Sequence, residues 1–556
     1  MSVCSEKNKT SMKSKYGTWS HPYEIAEEFS RRTAYFSMEF GVHQGLKIYS
    51  GGLGFLSGSH MRSAHDLKQN LVGIGMLWKY GYYDQGRNMD QSLRVDFIEK
   101  KYGFLEDSGI EVEVAIVGNP SVKVRAYVLR PETFQTAPIY LLSTDVQGND
   151  PLSRSITDHL YDANEMTRIA QSIVLGIGGA KVLAALGGAD VYHLNESHGL
   201  PAFYYLRNQA IEAKKVFTTH TPERAGNERR EGNLLNDFGF FGRKLSKTEL
   251  RKEMINGNTL NYTLAALRFS EKANAVSKLH AQVSNQIWEN FENVADIIPI
   301  TNSQNPAFWQ DNDLKKALGN NDLAAFKNRK KELKNALFEE VLNQTGKIFD
   351  PEVATIVWAR RFAGYKRADL LLLDSKRFES LITGQKYPVQ IIWAGKPYPV
   401  DNYSIGQFNK LVAMTRDRAN LAVLIGYEID LSKKLKTGSD VRLNTPRITR
   451  EASGTSGMTA AMNGSVNLSV NDGWIPEFGR DGENCFLLPQ LDSSMPINLQ
   501  DQIDCKNLYD VLEQKVLPTF YEHPDRWAQI AFNAINDVVP AFASERMARQ
   551  YYEELY

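Results

Sequence analysis

Residues 451 to 464 combine a carboxylate with a polar turn, in the order Glu-Ala-Ser-Gly-Thr-Ser-Gly-Met-Thr-Ala-Ala-Met-Asn-Gly. The first half is too rich in Gly, Ser and Thr for a helix interior, so the pattern predicts a loop that enters a helix. With Thr455 and Ser456 as candidate N-caps, the free backbone N–H groups of this helix start favour an anion as the ligand. Glu451 would then face a group without negative charge, such as the hydroxyls of a sugar whose phosphate the loop binds. An ordinary capped helix after a surface loop is the alternative that these residues alone leave open.

A second group of reactive side chains follows a predicted strand and brings four cations within eight residues: Arg360, Arg361, Lys366 and Arg367. A solvated helix face would spread such charges along the helix. Converging Arg and Lys side chains make a phosphate clamp, because Arg offers a planar fork of donors and Lys a point charge. Arg361 and Lys366 would stabilise the negative charge that develops on a departing phosphate. The backbone amides near Gly454 and Thr455 would add to that stabilisation.

A glycine cluster opens a helical pattern in the first half of the chain, where residues 49 to 54 read Tyr-Ser-Gly-Gly-Leu-Gly. Glycines permit positive φ and close backbone approach, which a phosphate-cradling turn requires. As a lone motif it is equally compatible with an ordinary tight turn.

Polar residues follow two buried strand patterns, in His-Leu-Asn-Glu-Ser-His at 193 to 198 and Thr-Thr-His-Thr-Pro at 218 to 222. The carboxyl ends of strands at a cleft are where α/β enzymes place substrate contacts. Each histidine alone is compatible with a hydrogen-bonded structural role, but two such loops together favour a ligand with many hydroxyls. No HxH or HExxH spacing occurs, so no metal site is expected.

The elements that must position these residues are short apolar runs alternating with helical patterns, which predict parallel sheets built from βαβ units. The predicted strands of the first series are 33–38, 71–76, 139–145, 191–194, 216–219 and 273–277. Those of the second series are 355–358, 390–394, 421–425, 441–443 and 466–470. We therefore expect an α/β protein with two doubly wound domains, 17–300 and 301–524, and a site in the cleft between their strand ends.

Composition narrows the functional class. The 556 residues carry 65 Lys+Arg and 65 Asp+Glu, so no bulk charge favours nucleic acid or an acidic membrane. Three cysteines without CxxC spacing argue against a disulfide framework, and a reducing cytoplasm is the expected location.

Residues 1–16 are polar, without an apolar core, and are expected to form a disordered lead-in rather than a signal peptide. The apolar run 173–189 holds five glycines and a lysine, and it predicts a buried helix rather than a membrane span.

Six motifs, in order from about residue 33 to 490, resemble the α-glucan (glycogen) phosphorylases, specifically their short bacterial type. The motifs are Tyr-Phe-Ser-Met-Glu-Phe at 35, Tyr-Ser-Gly-Gly-Leu-Gly at 49, His-Leu-Asn-Glu-Ser-His at 193, Thr-Thr-His-Thr-Pro at 218, Ala-Arg-Arg-Phe-Ala-Gly-Tyr-Lys-Arg at 359 and Glu-Ala-Ser-Gly-Thr-Ser-Gly-Met at 451. The resemblance implies the GT-B fold, two Rossmann-like domains with the active site between them. It also implies that 525–556 forms a C-terminal helix returning to the first domain.

The resemblance also implies residue roles. The positions it assigns to phosphate contact are Gly51, Gly52, Gly54, Arg361 and Lys366. His220 matches a histidine whose backbone carbonyl faces the developing sugar cation, and Asn302 and Glu451 match groups that bind sugar hydroxyls. The loop beside the acceptor is matched by Asn195, Glu196 and His198. The shared mechanism is retaining and front-face, and it demands no enzyme nucleophile.

One departure from the family limits the analogy. The residue after Gly-Met is the family's lysine that holds pyridoxal phosphate as a Schiff base, and here it is Thr459, which has no amine. Lys436 is far upstream in the sequence and Lys396 lies in another loop. Two smaller departures are Ser59, where Asp is usual, and Ser303-Gln304, where Gly is usual. No covalent pyridoxal phosphate is therefore expected, and its noncovalent binding is the less favoured alternative.

Three functional hypotheses remain open. The favoured one is a retaining hexosyltransferase without covalent cofactor, which moves an expected glucosyl unit from a nucleotide sugar to a glucan or other acceptor, as glycogen synthases of the same fold do. The second is an α-glucan phosphorylase that releases glucose 1-phosphate and binds pyridoxal phosphate noncovalently or functions without it. The third is a degenerate relative that binds glucan or regulates a true phosphorylase. The expected partners are a sugar-phosphate donor and an oligo- or polysaccharide acceptor, and the resemblance is compatible with a homodimer.

Overall fold

The structure is a computed structural model, and it describes residues 19–223, 226–255 and 257–556. It has an α/β architecture with two large, mainly parallel sheets, which confirms the α/β part of the predicted fold class. The predicted lead-in, residues 1–16, lies outside the described residues.

The described part of the first 300 residues contains thirteen strands: β1 (Thr33–Phe36), β2 (Leu71–Met76), β3 (Asp84–Arg87), β4 (Leu93–Asp96), β5 (Glu106–Ile116), β6 (Asn119–Leu129), β7 (Ile139–Ser143), β8 (Val191–Asn195), β9 (Lys214–Thr219), β10 (Arg229–Glu231), β11 (Thr259–Asn261), β12 (Lys272–Ala275) and β13 (Ile297–Pro299). Nine of them form one sheet in the order β13-β12-β9-β8-β1-β2-β7-β6-β5. Pairing is parallel from β13 to β7, and a long antiparallel hairpin, β5–β6, extends the edge. Two further antiparallel pairs, β3–β4 and β10–β11, stand apart from this sheet.

From residue 301 onward, six strands form the second sheet: β14 (Ala354–Ala359), β15 (Val389–Ala394), β16 (Leu421–Leu424), β17 (Val441–Asn444), β18 (Val466–Ser469) and β19 (Cys485–Leu487). Their order is β16-β15-β14-β17-β18-β19 and every pairing is parallel. The central strands β14 and β15 are buried along their whole length, as expected of parallel strands that helices cover on both faces.

The helices of the first part are α1 (Gly52–Asp66), α2 (Pro131–Phe134), α3 (Pro151–Arg154), α4 (Glu165–Ile173), α5 (Gly179–Ala185), α6 (Pro201–Asn208), α7 (Gly232–Phe238), α8 (Lys247–Glu253), α9 (Tyr262–Phe269) and α10 (Lys278–Trp288). Those of the second part are α11 (Pro306–Trp309), α12 (Asn312–Gly319), α13 (Leu323–Thr345), α14 (Ser375–Thr383), α15 (Asn402–Thr415), α16 (Ile429–Gly438), α17 (Thr455–Ala461), α18 (Ile475–Phe478), α19 (Ile497–Val511), α20 (Leu517–Glu522), α21 (Pro524–Phe542) and α22 (Ser544–Gln550).

Helices α4 and α5 run on through a π-helical turn as one helix, 165–185. This helix is long and apolar enough to cross a membrane by composition, but 78% of its apolar window is buried inside the protein. The buried helix predicted from the apolar run is therefore confirmed as a core element.

Two segments tie the sheets together. The β3–β4 hairpin leaves the first sheet and inserts Leu93 into the apolar core of the second, where the Leu93 N–H donates to Asn409 Oδ1 at 2.8 Å. The C-terminal segment crosses in the opposite direction. Helix α21 packs on the second core, the backbone turns extended at Ala543, and α22 places Met547 in the first core. The predicted single return helix is thus two helices that meet at Ala543.

Candidate active site

A cleft of about 800 Å³ lies between the carboxyl ends of the two sheets. Glu196 and His220 enter it from the loops after β8 and β9, and Arg360 and Glu451 enter it from the second sheet. A second cavity, of about 510 Å³, is lined by an Arg450–Glu223 ion pair and ten uncharged residues, so it carries no convergent charge. The chemistry-bearing residues therefore meet in the larger cleft.

The centre of the cleft is a buried cluster of two cations on one carboxylate. Arg360 Nη2 donates to Glu451 Oε2 at 2.6 Å, and Lys366 Nζ donates to both oxygens of Glu451 at 3.1 and 3.0 Å. Burial would raise the pKa of Glu451, but Lys366 and Arg360 outweigh it and lower that pKa to about 2. Burial and repulsion from Arg360 lower the pKa of Lys366 to about 7 despite the carboxylate. The cluster thus holds more positive charge than its one carboxylate balances.

Around this cluster, two arginines keep donor groups that no carboxylate of the described residues accepts. Arg361 lies in the cleft near the phenol groups of Tyr365 and Tyr82, and it forms no ion pair with a carboxylate in the described chain. Arg360 is buried, yet its Nε and Nη1 atoms have no hydrogen-bond acceptor among the residues that the structure describes. Buried donors of this kind are rare in folded proteins unless a ligand satisfies them. The arrangement therefore suits an anion with several oxygens, such as a phosphate.

The glycine turn at the start of α1 faces the start of α17 across the cleft. Gly51 and Gly52 line the cleft, and a Cβ atom on Gly52 would lie 3.9 Å from Thr455 Oγ1. Gly54, which was also predicted to contact phosphate, is not among the residues that line the cleft. A Cβ atom there would lie 2.6 Å from Tyr49 Cβ, so the packing at this position requires a glycine.

The start of α17 differs from the prediction. Gly454 is the N-cap residue, with a left-handed φ of 103°, and no side chain caps the helix. Thr455 and Ser456, predicted as caps, lie instead in the first turn, because the glycine conformation already ends the loop. Ser456 Oγ is used differently and accepts a hydrogen bond from Arg442 Nη2 at 2.6 Å.

The loops after β8 and β9 are joined by hydrogen bonds. Glu196 accepts the N–H of His220 at 2.5 Å and the hydroxyl of Thr221 at 3.1 Å. His220 Nε2 donates to Asn195 Oδ1 at 2.7 Å, and burial lowers the pKa of His220 to about 3, so the ring is neutral. Asn195 was predicted to lie in the loop beside the acceptor. Its amide group is buried and used by Ser37, Ser57 and His220, so it positions His220 and does not line the cleft.

His198 and Asn302 complete the predicted set. His198 lines the cleft beside Tyr161, and burial, with repulsion from Arg168, lowers the pKa of His198 to about 4. Asn302 also lines the cleft, and its Oδ1 atom is buried without a hydrogen-bond partner in the described part of the chain. Both side chains are uncharged polar groups available to sugar hydroxyls.

Two carboxylates that the sequence reasoning missed hold the site together. Glu39 accepts the N–H groups of Ser50 at 2.6 Å and Gly51 at 3.3 Å, and so fixes the glycine turn. Asp472 accepts the N–H of Glu451 at 3.0 Å, and burial raises the pKa of Asp472 to about 7. Both residues follow a buried strand at its carboxyl end, which is the signal by which they could have been found.

The comparisons with known proteins agree with this geometry. Residues 307–487 match the family model described as carbohydrate phosphorylase. The chain is 46% identical to an uncharacterized protein of Methanocaldococcus jannaschii, over 94% of this chain and 99% of that protein. It is 33% identical to the maltodextrin phosphorylase of Thermococcus litoralis, over 94% of this chain and 70% of that enzyme. The chain belongs to the carbohydrate phosphorylase family. It is also 28% identical to the glycogen phosphorylase of Aquifex aeolicus, over 97% of this chain and 88% of that enzyme.

In this chain, position 459 does not fit the covalent attachment of pyridoxal phosphate. Thr459 is buried, and its hydroxyl donates to the carbonyl oxygens of Thr455 at 3.3 Å and Ser456 at 3.2 Å. The phosphate side of the site does fit, because the unpaired N–H groups of Arg360 lie in the same cluster. Position 459 therefore lacks the amine that a Schiff base needs, whereas the site keeps donors for the phosphate group.

The two smaller departures of this chain from the family meet in one hydrogen bond, between Ser59 and Gln304. Ser59 Oγ donates to Gln304 Oε1 at 2.8 Å, and Trp309 Nε1 donates to Ser59 Oγ at 3.2 Å. Ser59, on α1, and Gln304 therefore form one buried hydrogen-bonded pair.

Proposed function

We propose that this chain transfers a hexosyl unit, expected to be glucosyl, between an α-glucan and phosphate. The observation that carries the proposal is the surplus of positive charge in the cleft, at the buried residues Arg360 and Lys366 and at the exposed Arg361, which one carboxylate, Glu451, does not neutralise. Phosphate would supply the missing charge. The relatives named maltodextrin and glycogen phosphorylase support the same reaction class. The cleft between two parallel sheets is consistent with the GT-B arrangement that we propose for the chain.

In glucan breakdown, the bound phosphate gives its proton to the glycosidic oxygen as the bond from that oxygen to the sugar anomeric carbon breaks. A phosphate oxygen then bonds to the same carbon from the same face, so that the configuration is retained and a sugar 1-phosphate leaves. Arg361 and Lys366 hold the phosphate and stabilise its charge throughout. Lys366 would then donate its hydrogen bonds to the phosphate instead of to Glu451. The freed Glu451 carboxylate could accept hydrogen bonds from sugar hydroxyls.

Uncharged groups bind the sugar in this proposal. His220 has its backbone N–H fixed by Glu196, so the loop is preorganised and its carbonyl group can face the positive charge that develops on the sugar. Asn302 offers an unpaired amide oxygen to a hydroxyl. Because the phosphate itself carries the proton, the site needs no separate general acid.

A nucleotide sugar is the second candidate donor, and it is the one favoured by the sequence. Two structural observations support it. Thr459 has no amine, and the guanidinium groups of Arg360 and Arg442 keep unpaired N–H donors close to the Arg361–Lys366 clamp. Two linked phosphates would satisfy both sets of donors with a single ligand.

Product analysis separates the candidates. Protein incubated with maltodextrin and orthophosphate should release a sugar 1-phosphate, whereas the second candidate predicts glucan extension from a nucleotide sugar with release of a nucleoside diphosphate. Arg361→Gln should lower the rate of either reaction by about 10²- to 10³-fold. Arg418→Gln is the matched control, because Arg418 pairs with Glu379 on the surface, away from the cleft. Absence of both products, with glucan still bound, would support the degenerate-relative hypothesis instead.

A further inference from the structure

Arg442, on β17, is a buried arginine to which the proposed transfer between glucan and phosphate gives no role. Only 1% of the residue is exposed. Among residues 19–223, 226–255 and 257–556, no carboxylate accepts its N–H groups, and its Nε atom has no hydrogen-bond partner. Burial lowers the pKa of Arg442 to about 9, so the guanidinium group still carries its charge at neutral pH. Burying a charge without a counter-charge is costly, so packing alone does not account for this residue.

The guanidinium group of Arg442 spans a gap between two strands. The parallel register of β14 with β17 covers the pairs Ile356–Val441 and Val357–Arg442, whereas β14 continues to Ala359. Arg442 Nη1 donates to the Val357 carbonyl oxygen at 3.2 Å, and Nη2 donates to the Ala359 carbonyl oxygen beyond the paired residues. The side chain therefore holds the carboxyl end of β14 where backbone pairing with β17 has ended.

The same nitrogen atom also binds the first turn of α17. Arg442 Nη2 donates to Ser456 Oγ at 2.6 Å, and Ser456 lines the cleft. At the other end of this link, Ala359 directly precedes Arg360 and Arg361 in the sequence. One guanidinium group thus joins the strand that presents the cations to the helix turn beside them. The planar fork of an arginine directs donors to both acceptors at once, which the point charge of a lysine does not.

The charge of Arg442 acts on the cluster at the centre of the cleft. After burial and the phenol group of Tyr427, the groups that shift the pKa of Arg442 are Arg360, which lowers it, and Glu451, which raises it. Glu451 is already shared by Arg360 and Lys366. Arg442 is therefore a further cation without a carboxylate of its own in the described chain. An anion bound in the cleft would lower the electrostatic cost of burying this charge.

We propose that Arg442 is a positioning residue for the anion of the reaction, because it holds the end of β14 against the first turn of α17 and adds positive potential to the cleft. Arg442 is not among the residues that line the cleft, so it acts through Ala359, through Ser456 and through its charge. The inference rests on the proposed function, since both place an anion beside Arg361 and Lys366.

The test is a calorimetric titration of orthophosphate into the full-length protein with maltodextrin present, accompanied by the kinetics of sugar 1-phosphate release. Arg442→Gln should weaken orthophosphate binding by about tenfold and raise the KM for orthophosphate to match, because it removes both the charge and the link. Arg442→Lys keeps the charge without the fork, so it should recover part of the binding but not the full turnover.

Arg32→Gln is the matched control for the loss of buried hydrogen bonds. Arg32 also donates to two backbone carbonyl oxygens, those of Gly187 at 3.0 Å and Leu186 at 3.1 Å. It precedes β1, at the amino ends of the first sheet and opposite the cleft. Orthophosphate affinity should therefore stay unchanged in this variant. A lower melting temperature in both variants, with wild-type affinity and KM for orthophosphate in folded Arg442→Gln, would overturn the positioning role.

A double-mutant cycle with Ser456→Ala tests the link itself. If Arg442 acts through Ser456, the double variant should weaken orthophosphate binding by less than the product of the two single factors. Independent effects that multiply would contradict the link between β14 and α17. If Arg442→Gln does not fold, Arg442→Lys and Ser456→Ala should each weaken orthophosphate binding by about threefold, and unchanged binding in both would overturn the proposal.

The binding and product measurements separate this proposal from the proposed function. Weaker orthophosphate binding in Arg442→Gln, without sugar 1-phosphate from the wild type, would support the positioning role and contradict the proposed transfer alone. Sugar 1-phosphate from the wild type, with unchanged orthophosphate binding in Arg442→Gln, would support the transfer and overturn the role of Arg442.

Discussion

Arg360 Nη2 donates to Glu451 Oε2 at 2.6 Å, deep in the cleft between the two sheets. Lys366 bonds to the same carboxylate, so a single negative charge is shared by two buried cations. A third, Arg361, stands in the cleft without a carboxylate partner in the described chain. The site is thus electrostatically incomplete until an anion binds, and most of its testable behaviour follows from this surplus.

The first prediction concerns proton uptake on anion binding. The pKa of Lys366 is lowered to about 7, and a bound anion would raise it, so binding above pH 7 must draw a proton onto Lys366. Affinity for sulfate, whose charge does not change in this range, should therefore fall as the pH rises through about 7 to 9. Titration calorimetry in two buffers of different ionisation enthalpy would detect the uptake. An affinity that is flat across this range would contradict the role of Lys366.

The second prediction concerns Arg361→Gln. Because Arg361 forms no ion pair within the described chain, its loss should leave the folded state intact while removing a donor to the transferred phosphate. We expect turnover to fall by about 10²- to 10³-fold, with the melting temperature little changed. Arg418→Gln serves as the control for a surface arginine. An equal loss of turnover in both variants would show that losing any arginine impairs the protein, and it would contradict a specific role of Arg361 in binding phosphate.

The third prediction concerns Glu451→Gln. Removal of the carboxylate leaves Arg360 and Lys366 buried against each other, a change that destabilises proteins by about 3–5 kcal/mol. Phosphate or sulfate should recover part of that loss, because an anion that binds only the folded state stabilises it. Thermal unfolding with and without sulfate measures both effects. If sulfate raises the melting temperature no more in the variant than in the wild type, the anion does not take the place of the carboxylate.

The fourth prediction concerns Lys436→Met in the absence of ligand. The substitution keeps the apolar stem and removes a buried amine that has no hydrogen-bond partner within residues 19–223, 226–255 and 257–556, so stability should rise by about 1–3 kcal/mol. Such a gain is typical of residues kept for function at the expense of stability. Urea denaturation of apo-protein would measure it, with Lys433→Met as the neighbouring control. A clear loss of stability would show that Lys436 has a structural role.

Much of the architecture was predictable because the central strands are uniformly apolar segments. Strands β14 and β15 are continuous apolar runs, and such runs have few alternatives to a buried parallel strand. The site loops were predictable for a related reason, since polar residues directly after such strands must lie at the cleft edge. Glu196, His220 and Arg361 all lie there.

The features that the sequence did not reveal depend on tertiary contacts. Leu93 belongs to a short hairpin whose apolar partner is the core of the other sheet, so no local pattern predicts its burial. Asn195 was expected at the acceptor, but three hydrogen-bond partners from distant segments hold it in the interior. Lys436 and Thr459 are far apart along the chain, and only the packing of α16 on α17 brings them into one region.

The most direct test of the central claim is a titration of orthophosphate into the wild-type protein and Arg361→Gln in parallel, with maltodextrin present. Binding at one site per chain in the wild type, weakened by about tenfold or more in the variant, is the result expected if the surplus charge of the cleft holds the phosphate of the reaction. Equal binding by both proteins would show that the phosphate lies elsewhere and would contradict the account.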